Sequence, residues 1–116
     1  MSKRSAEFLI EDIQEACEKI ERYTLQIDNT DAFLGDEKTS DAVVRNLEII
    51  GEAANRLPLD FKKEHEEIEW EKIVGLRHRI VHEYFGVDLR LIWEIIKTDI
   101  PPFKDALERI RRKTDS

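Results

Sequence analysis

Leu9, Ile13, Ala16, Ile20, Tyr23 and Ile27 recur at spacings of 4, 3, 4, 3 and 4, the repeat of a helix that buries one stripe. They predict a first helix over residues 5–27. The polar run Asp28-Asn29-Thr30-Asp31 ends it, because Asn and Asp side chains bond nearby backbone and favour turns. A connector over 32–38 carries Gly35. Thr39, Ser40 and Asp41 then offer N-caps to a second helix, whose stripe Val43, Leu47, Ile50, Ala54 and Leu57 steps by 4, 3, 4 and 3. Gly51 lies inside that helix, where it costs about 1 kcal/mol relative to Ala, and predicts the close approach of a neighbouring helix. Pro58 ends the element.

Residues 59–69 are charged and irregular, with one short helical turn expected at 60–64. A third helix is predicted from Trp70 through Phe85, stopping at Gly86, since glycine tolerates the backbone of a helix terminus. Asp88 can cap a fourth helix with Leu89, Ile92, Trp93, Ile96 and Ile100 at core positions. Pro101-Pro102 should break or kink it, because neither ring has an N–H to donate and each crowds the preceding turn. A last helix over 103–112 turns Phe103, Ala106, Leu107 and Ile110 inward. Strand alternation and internal repeats are not visible. The expected fold is all-α, an up-and-down bundle of four to five helices without a sheet, forming one domain over 1–116.

Composition agrees with solvated amphipathic helices: charged residues are 39% of the chain, against four Gly and three Pro. Cys17 is the single cysteine and falls in an apolar pattern, which excludes a disulfide framework and suits a reducing compartment. The chain shows no signal-peptide pattern and no apolar run near the roughly 20 residues of a membrane span, so the expectation is a soluble, cytoplasmic protein. A net charge of −7 argues against a surface that is all nucleic-acid footprint. Any RNA contact must be local, at Arg77, His78 and Arg79 or at the basic tail Arg109, Arg111, Arg112 and Lys113. For the tail, complementing the negative end of a helix macrodipole is the simpler reading.

Candidate chemistry concentrates in the third helix. On a wheel of about 100° per residue, Trp70, Ile73, Val74, Leu76, Ile80, Val81 and Tyr84 form one broad face, with Arg77 in its middle. A guanidinium there must snorkel, meet a carboxylate or face a cleft. His82 projects to the far side of an ideal helix and His78 lies beside it, so Arg77 and His82 converge only if the helix end distorts or a second chain supplies one of them. Three roles compete. His78 and His82, four residues apart, could hold two imidazoles on one metal ion, although no third ligand of fixed spacing accompanies them. The cluster could be purely structural. Or a histidine that moves protons near neutrality and an arginine that stabilises phosphoryl charge could together cleave RNA without a metal.

The run Gly75-Leu76-Arg77-His78-Arg79-Ile80-Val81-His82-Glu83-Tyr84-Phe85-Gly86-Val87-Asp88 resembles the signature of the HepT-like toxins of the HEPN superfamily: Arg, four residues, His, one residue, Tyr. The stretch Arg45-Asn46-Leu47-Glu48-Ile49-Ile50-Gly51-Glu52-Ala53-Ala54 is similar to that family's second helix, and Leu91-Ile92-Trp93-Glu94-Ile95-Ile96 to a later one. His78 departs from the pattern, in which Asn is commoner.

The resemblance implies a metal-independent endoribonuclease, needing no cofactor, that acts as a homodimer with the two motifs forming a shared cleft. It also implies a partner, a minimal nucleotidyltransferase antitoxin that silences the toxin by AMPylating the motif tyrosine. Carried over by position, His82 is the general acid/base, Arg77 the phosphate-stabilising group and Tyr84 the modified residue. His78, Arg45, Asn46 and Glu52 are expected to line the same cleft. A different class of function, a non-catalytic helical module that docks a nucleotidyltransferase or a nucleotide, fits the acidic composition.

Overall fold

The computed structural model describes residues 3–81 and 88–115. They are helical throughout, with no strand among them: α1 (Lys3–Tyr23), α2 (Thr30–Leu34), α3 (Glu37–Arg56), α4 (Leu59–Glu64), α5 (Trp70–Val74), α6 (Leu76–Val81), α7 (Leu89–Glu94), a π-helical turn (Ile95–Asp99) and α8 (Ile100–Asp115). The all-α expectation holds. No helix of the described residues is long and apolar enough to cross a membrane.

The 4-3 stripes meet in one core. Leu9, Ile13, Ala16 and Ile20 of α1 face Val43, Leu47, Ile50 and Ala54 of α3, all buried, and α1 against α3 is the most extensive helix pairing. Each fully buried Ile or Leu side chain is worth about 1.5–3 kcal/mol relative to leaving it in water. Cys17 is part of this core, and burial pushes its thiol up to about 12, so at neutral pH it is an inert small hydrophobe. Tyr23, the predicted next residue of the stripe, is exposed, because α1 ends there and Thr24 turns its hydroxyl onto the Ile20 carbonyl at 2.8 Å.

The helix starts differ from expectation. α2 begins inside the polar run and extends into the connector, and Asn29 caps it by accepting from the Ala32 N–H at 2.9 Å. The second long helix then begins at Glu37, ahead of Thr39, Ser40 and Asp41. Asp36 is its cap: one carboxylate oxygen accepts from the Thr39 N–H at 3.0 Å and the other from the Thr39 hydroxyl at 2.8 Å. Those bonds to Thr39 hold the Asp36 carboxyl below its ordinary range. The predicted turn at 60–64 is the short α4, and Pro58 follows the end of α3 as expected.

The proline pair does not break the chain's course. The α-helical ladder widens into the π turn instead, where Ile100 N–H donates to Ile95 O, and α8 continues through Pro101 and Pro102 in its first turn. Missing N–H groups cost least in a first turn, and the wider turn relieves the crowding of the rings on the carbonyls before them. Thr98 adds a hydroxyl bond to Glu94 O at 2.8 Å. Asp88 caps α7 as predicted, accepting from the N–H groups of Arg90 and Leu91 at 3.1 Å each.

Lys104 and one residue of the basic tail, Arg111, reach across to α1. Lys104 Nζ sits 2.8 Å from Glu21, Arg111 lies 3.7 Å from Glu11, and Arg111 also donates to Gln14. These contacts lace α8 to α1 across the bundle, and the bond to Glu21 raises the Lys104 ammonium above its ordinary range.

Candidate active site

The third helix of the sequence prediction is two helices. At Gly75 the α5 ladder closes, with the Gly75 N–H donating to Glu71 O at 2.9 Å, and α6 takes over, with Arg79 N–H donating to Gly75 O at 3.0 Å. Ile73, Leu76 and Ile80 are buried and carry both segments onto α3.

Gly51 explains how closely they come. A Cβ built on Gly51 would stand 3.5 Å from the Arg77 amide nitrogen, 3.5 Å from Ile73 O and 3.7 Å from Val74 O. The helix expected to approach Gly51 is therefore α5–α6, and it meets α3 backbone to backbone at the first turn of α6.

That contact decides the setting of Arg77. The guanidinium is not in the middle of a buried face: its side chain is 64% exposed, and Nη1 lies 3.5 Å from Oε2 of Glu52, itself 56% exposed. The wheel overstated the apolar face. Val74 is only partly buried, and within α6 itself Leu76 and Ile80 are the buried residues, with Arg77 to one side of them. Glu52 is the residue after Gly51, so the position that lets the helices touch also delivers a carboxylate to the arginine. A pair this exposed adds about 0–1 kcal/mol to stability.

The other expected residues divide. Arg45 is exposed, seven residues before Glu52 and hence about two turns away on the same side of α3. Asn46 faces inward in this chain. It is buried, with its amide donating to Ala42 O at 2.8 Å, because its position falls within the inward stripe of α3. His78 is exposed on α6. His82, Tyr84 and the predicted helix stop at Gly86 lie outside the described residues. Among the described residues, no group of three or more His, Cys, Asp or Glu gathers to hold a metal ion.

One group was not apparent in the sequence. Asp99, the last residue of the π turn, lies 3.2 Å from Lys72 Nζ of α5 and 3.5 Å from Arg79 Nη1 of α6. Charged residues are too frequent in this chain for such a triad to stand out. The one signal is position: Asp99 falls two residues before the proline pair.

The profile of the family described as "Ribonuclease HepT-like" matches residues 13–110. A protein of Thermococcus cleftensis named "Probable ribonuclease HepT" is 48% identical over 110 residues, covering 95% of this chain and 99% of the relative. One from Methanocaldococcus jannaschii, named "Putative RNase MJ1380", is 38% identical over 108 residues, covering 93% and 98%. A protein of the same description from Caldanaerobacter subterraneus is 43% identical over 81 residues, covering 70% and 72%. No solved structure gives a significant match.

Proposed function

The chain belongs to the ribonuclease HepT-like family, and from that premise we propose that it is a metal-independent endoribonuclease whose reacting groups are Arg77 and His82. The observation that carries the reading is Arg77, an exposed guanidinium held at the edge of α6, five residues before His82 and seven before Tyr84 in the chain.

The chemistry needs no ion. The ribose 2′-oxygen bonds to phosphorus and the bond from phosphorus to the 5′-oxygen breaks. A proton leaves the first oxygen and another reaches the second. An imidazole titrating near neutrality is suited to moving those protons, and a guanidinium can hold the two non-bridging oxygens through its forked N–H groups. Glu52 approaches one Nη of Arg77, which leaves other donors of the fork for phosphate. Charge distribution supports a local RNA contact, since Arg77, His78 and Arg45 are exposed.

The reading extends to biology. The protein is a single-domain cytoplasmic toxin of a toxin–antitoxin pair and works as a homodimer whose motifs share one cleft. In the ideal wheel Arg77 and His82 point apart, and a second copy removes that difficulty. A minimal nucleotidyltransferase antitoxin silences it by transferring AMP to Tyr84, which sets a negative phosphate where the RNA phosphate would lie.

Purified free of antitoxin, the protein should cut RNA in the presence of EDTA and leave 2′,3′-cyclic phosphate ends. Activity that disappears with chelator and returns with a divalent ion would sink the mechanism. For the regulatory step, intact-mass analysis after incubation with antitoxin and ATP should show an added AMP on the parent chain and none on Tyr84→Phe. Equal labelling of both would remove Tyr84 as the modified residue.

A further inference from the structure

Asp99 joins the π turn to both halves of the broken third helix. One carboxylate oxygen lies 3.2 Å from Lys72 Nζ on α5 and 3.3 Å from the Thr98 hydroxyl, and the other faces Arg79 Nη1 on α6 at 3.5 Å. The Asp99 side chain is only 16% exposed, against 64% and 56% for Arg77 and Glu52. Arg79 is 34% and Lys72 46% exposed, so the carboxylate is the shielded member and is screened less than a surface group.

Arg79 Nη1 is closed off from solvent yet makes no hydrogen bond. Its approach to Asp99 is close enough for Coulomb attraction and too loose for a well-formed bond. A buried donor left in this condition calls for an explanation. A contact that shortens when α6 shifts slightly supplies one, as catalytic hydrogen bonds often tighten only when substrate is bound.

Arg79 is two residues beyond Arg77 on the same six-residue helix. Leu76 and Ile80 also hold α6 against α3 by apolar packing, and Arg77 meets Glu52 on its exposed side. Apolar packing fixes how near two helices lie but is not directional, whereas a charge pair draws one point of α6 toward one point of the π turn. The geometry points to Asp99 as a positioning residue for RNA cleavage, one that acts through Arg79 to set the rotation of α6 and with it the aim of Arg77. The proline pair belongs to this device, because the π turn that it accompanies brings Asp99 to its two cations. This inference rests on the ribonuclease reading of Arg77, and Asp99 itself does not touch RNA.

Lys72 provides the internal control. It shares the carboxylate but stands on α5, on the other side of the Gly75 break. The test uses the full chain: kcat for RNA cleavage, thermal midpoint, and RNA affinity measured in a His82→Ala background. Arg79→Met and Asp99→Asn should each lower kcat by about tenfold to a hundredfold, the range for a misaimed reacting group, with RNA affinity within about twofold of the parent. Their double variant should lose no more than either single, since both act through one contact. Arg79→Lys should recover part of the rate, and Lys72→Met should keep kcat while lowering the midpoint.

Unchanged kcat in Arg79→Met, losses that multiply in the double variant, or a loss confined to RNA affinity would each overturn the assignment. If Asp99→Asn does not fold, the comparison of Arg79→Met with Arg79→Lys decides it. A parent chain that does not cleave RNA refutes the ribonuclease function first, and this role with it.

Discussion

Alanine in place of Arg77 is expected to lower kcat for RNA cleavage by about 10²–10³-fold, the usual loss when one preorganised donor to a developing oxyanion is removed. The fold should survive. The Arg77–Glu52 pair is more than half exposed on both sides and contributes about 0–1 kcal/mol, so the thermal midpoint should move by no more than about 5 °C. Arg77→Lys keeps the charge but loses the forked, planar donors, and should recover only part of the rate. His82→Ala removes the group proposed to move protons and should cost at least about 10²-fold. Parent-like cleavage by either alanine variant would exclude that residue from the chemistry. A fall in rate matched by loss of helical signal would assign Arg77 to structure instead.

The second large effect is expected at Gly51, and its sign depends on the size of the replacement. A single added methyl would sit 3.5 Å from the nearest backbone atoms of α5 and α6, an ordinary contact, and alanine relieves a helix-interior penalty of about 1 kcal/mol. Gly51→Ala should therefore be as stable as the parent or slightly more so. Leucine cannot fit between two backbones in contact, and overpacking of that kind costs about 1–3 kcal/mol, sometimes more.

The expected damage reaches beyond stability, because the displaced atoms include the amide of Arg77. Gly51→Leu should lose most of its RNA cleavage even at temperatures where it remains folded. Denaturant unfolding with a parallel cleavage assay separates the two losses. A leucine variant with parent stability and rate would show that the helices can part without cost, and would remove the close contact as the reason that Arg77 is held at the edge of α6.

Much of the scaffold was legible in the chain. The stripes of α1 and α3, the end of α3 at Pro58, the cap at Asp88 and the buried Cys17 all followed from local rules of helix period and capping. Other boundaries were not. Asp36 caps α3 three residues before the first cap that the pattern suggests, because its side chain finds Thr39 in nearly a full extra turn of helix. Pro101-Pro102 reads as a break, and the chain answers with a π turn, because packing of Ile95, Ile96, Ile100 and Phe103 into the core holds the two helical segments in line.

The site shows the same division. Arg77, His82 and Tyr84 were singled out by resemblance to a family motif, and Glu52 by the stretch around it. The wheel nevertheless put Arg77 at the centre of a buried face, since a wheel assumes one uninterrupted helix and treats every apolar residue as core. Asn46 was expected at the surface of the site and instead bonds its own helix from within the core.

Helix period, caps and the motif's spacing are properties of neighbours along the chain, where the 3.6-residue repeat and backbone hydrogen bonding act at short range; those the sequence determined by itself. Which carboxylate meets Arg77, and which one ties Arg79 to Lys72, depends on residues far apart in the chain, at 52 and 99. Those meetings were decided only when α3, α6 and the π turn packed together, because a charge pair has no signature until the core has set the distance between its members.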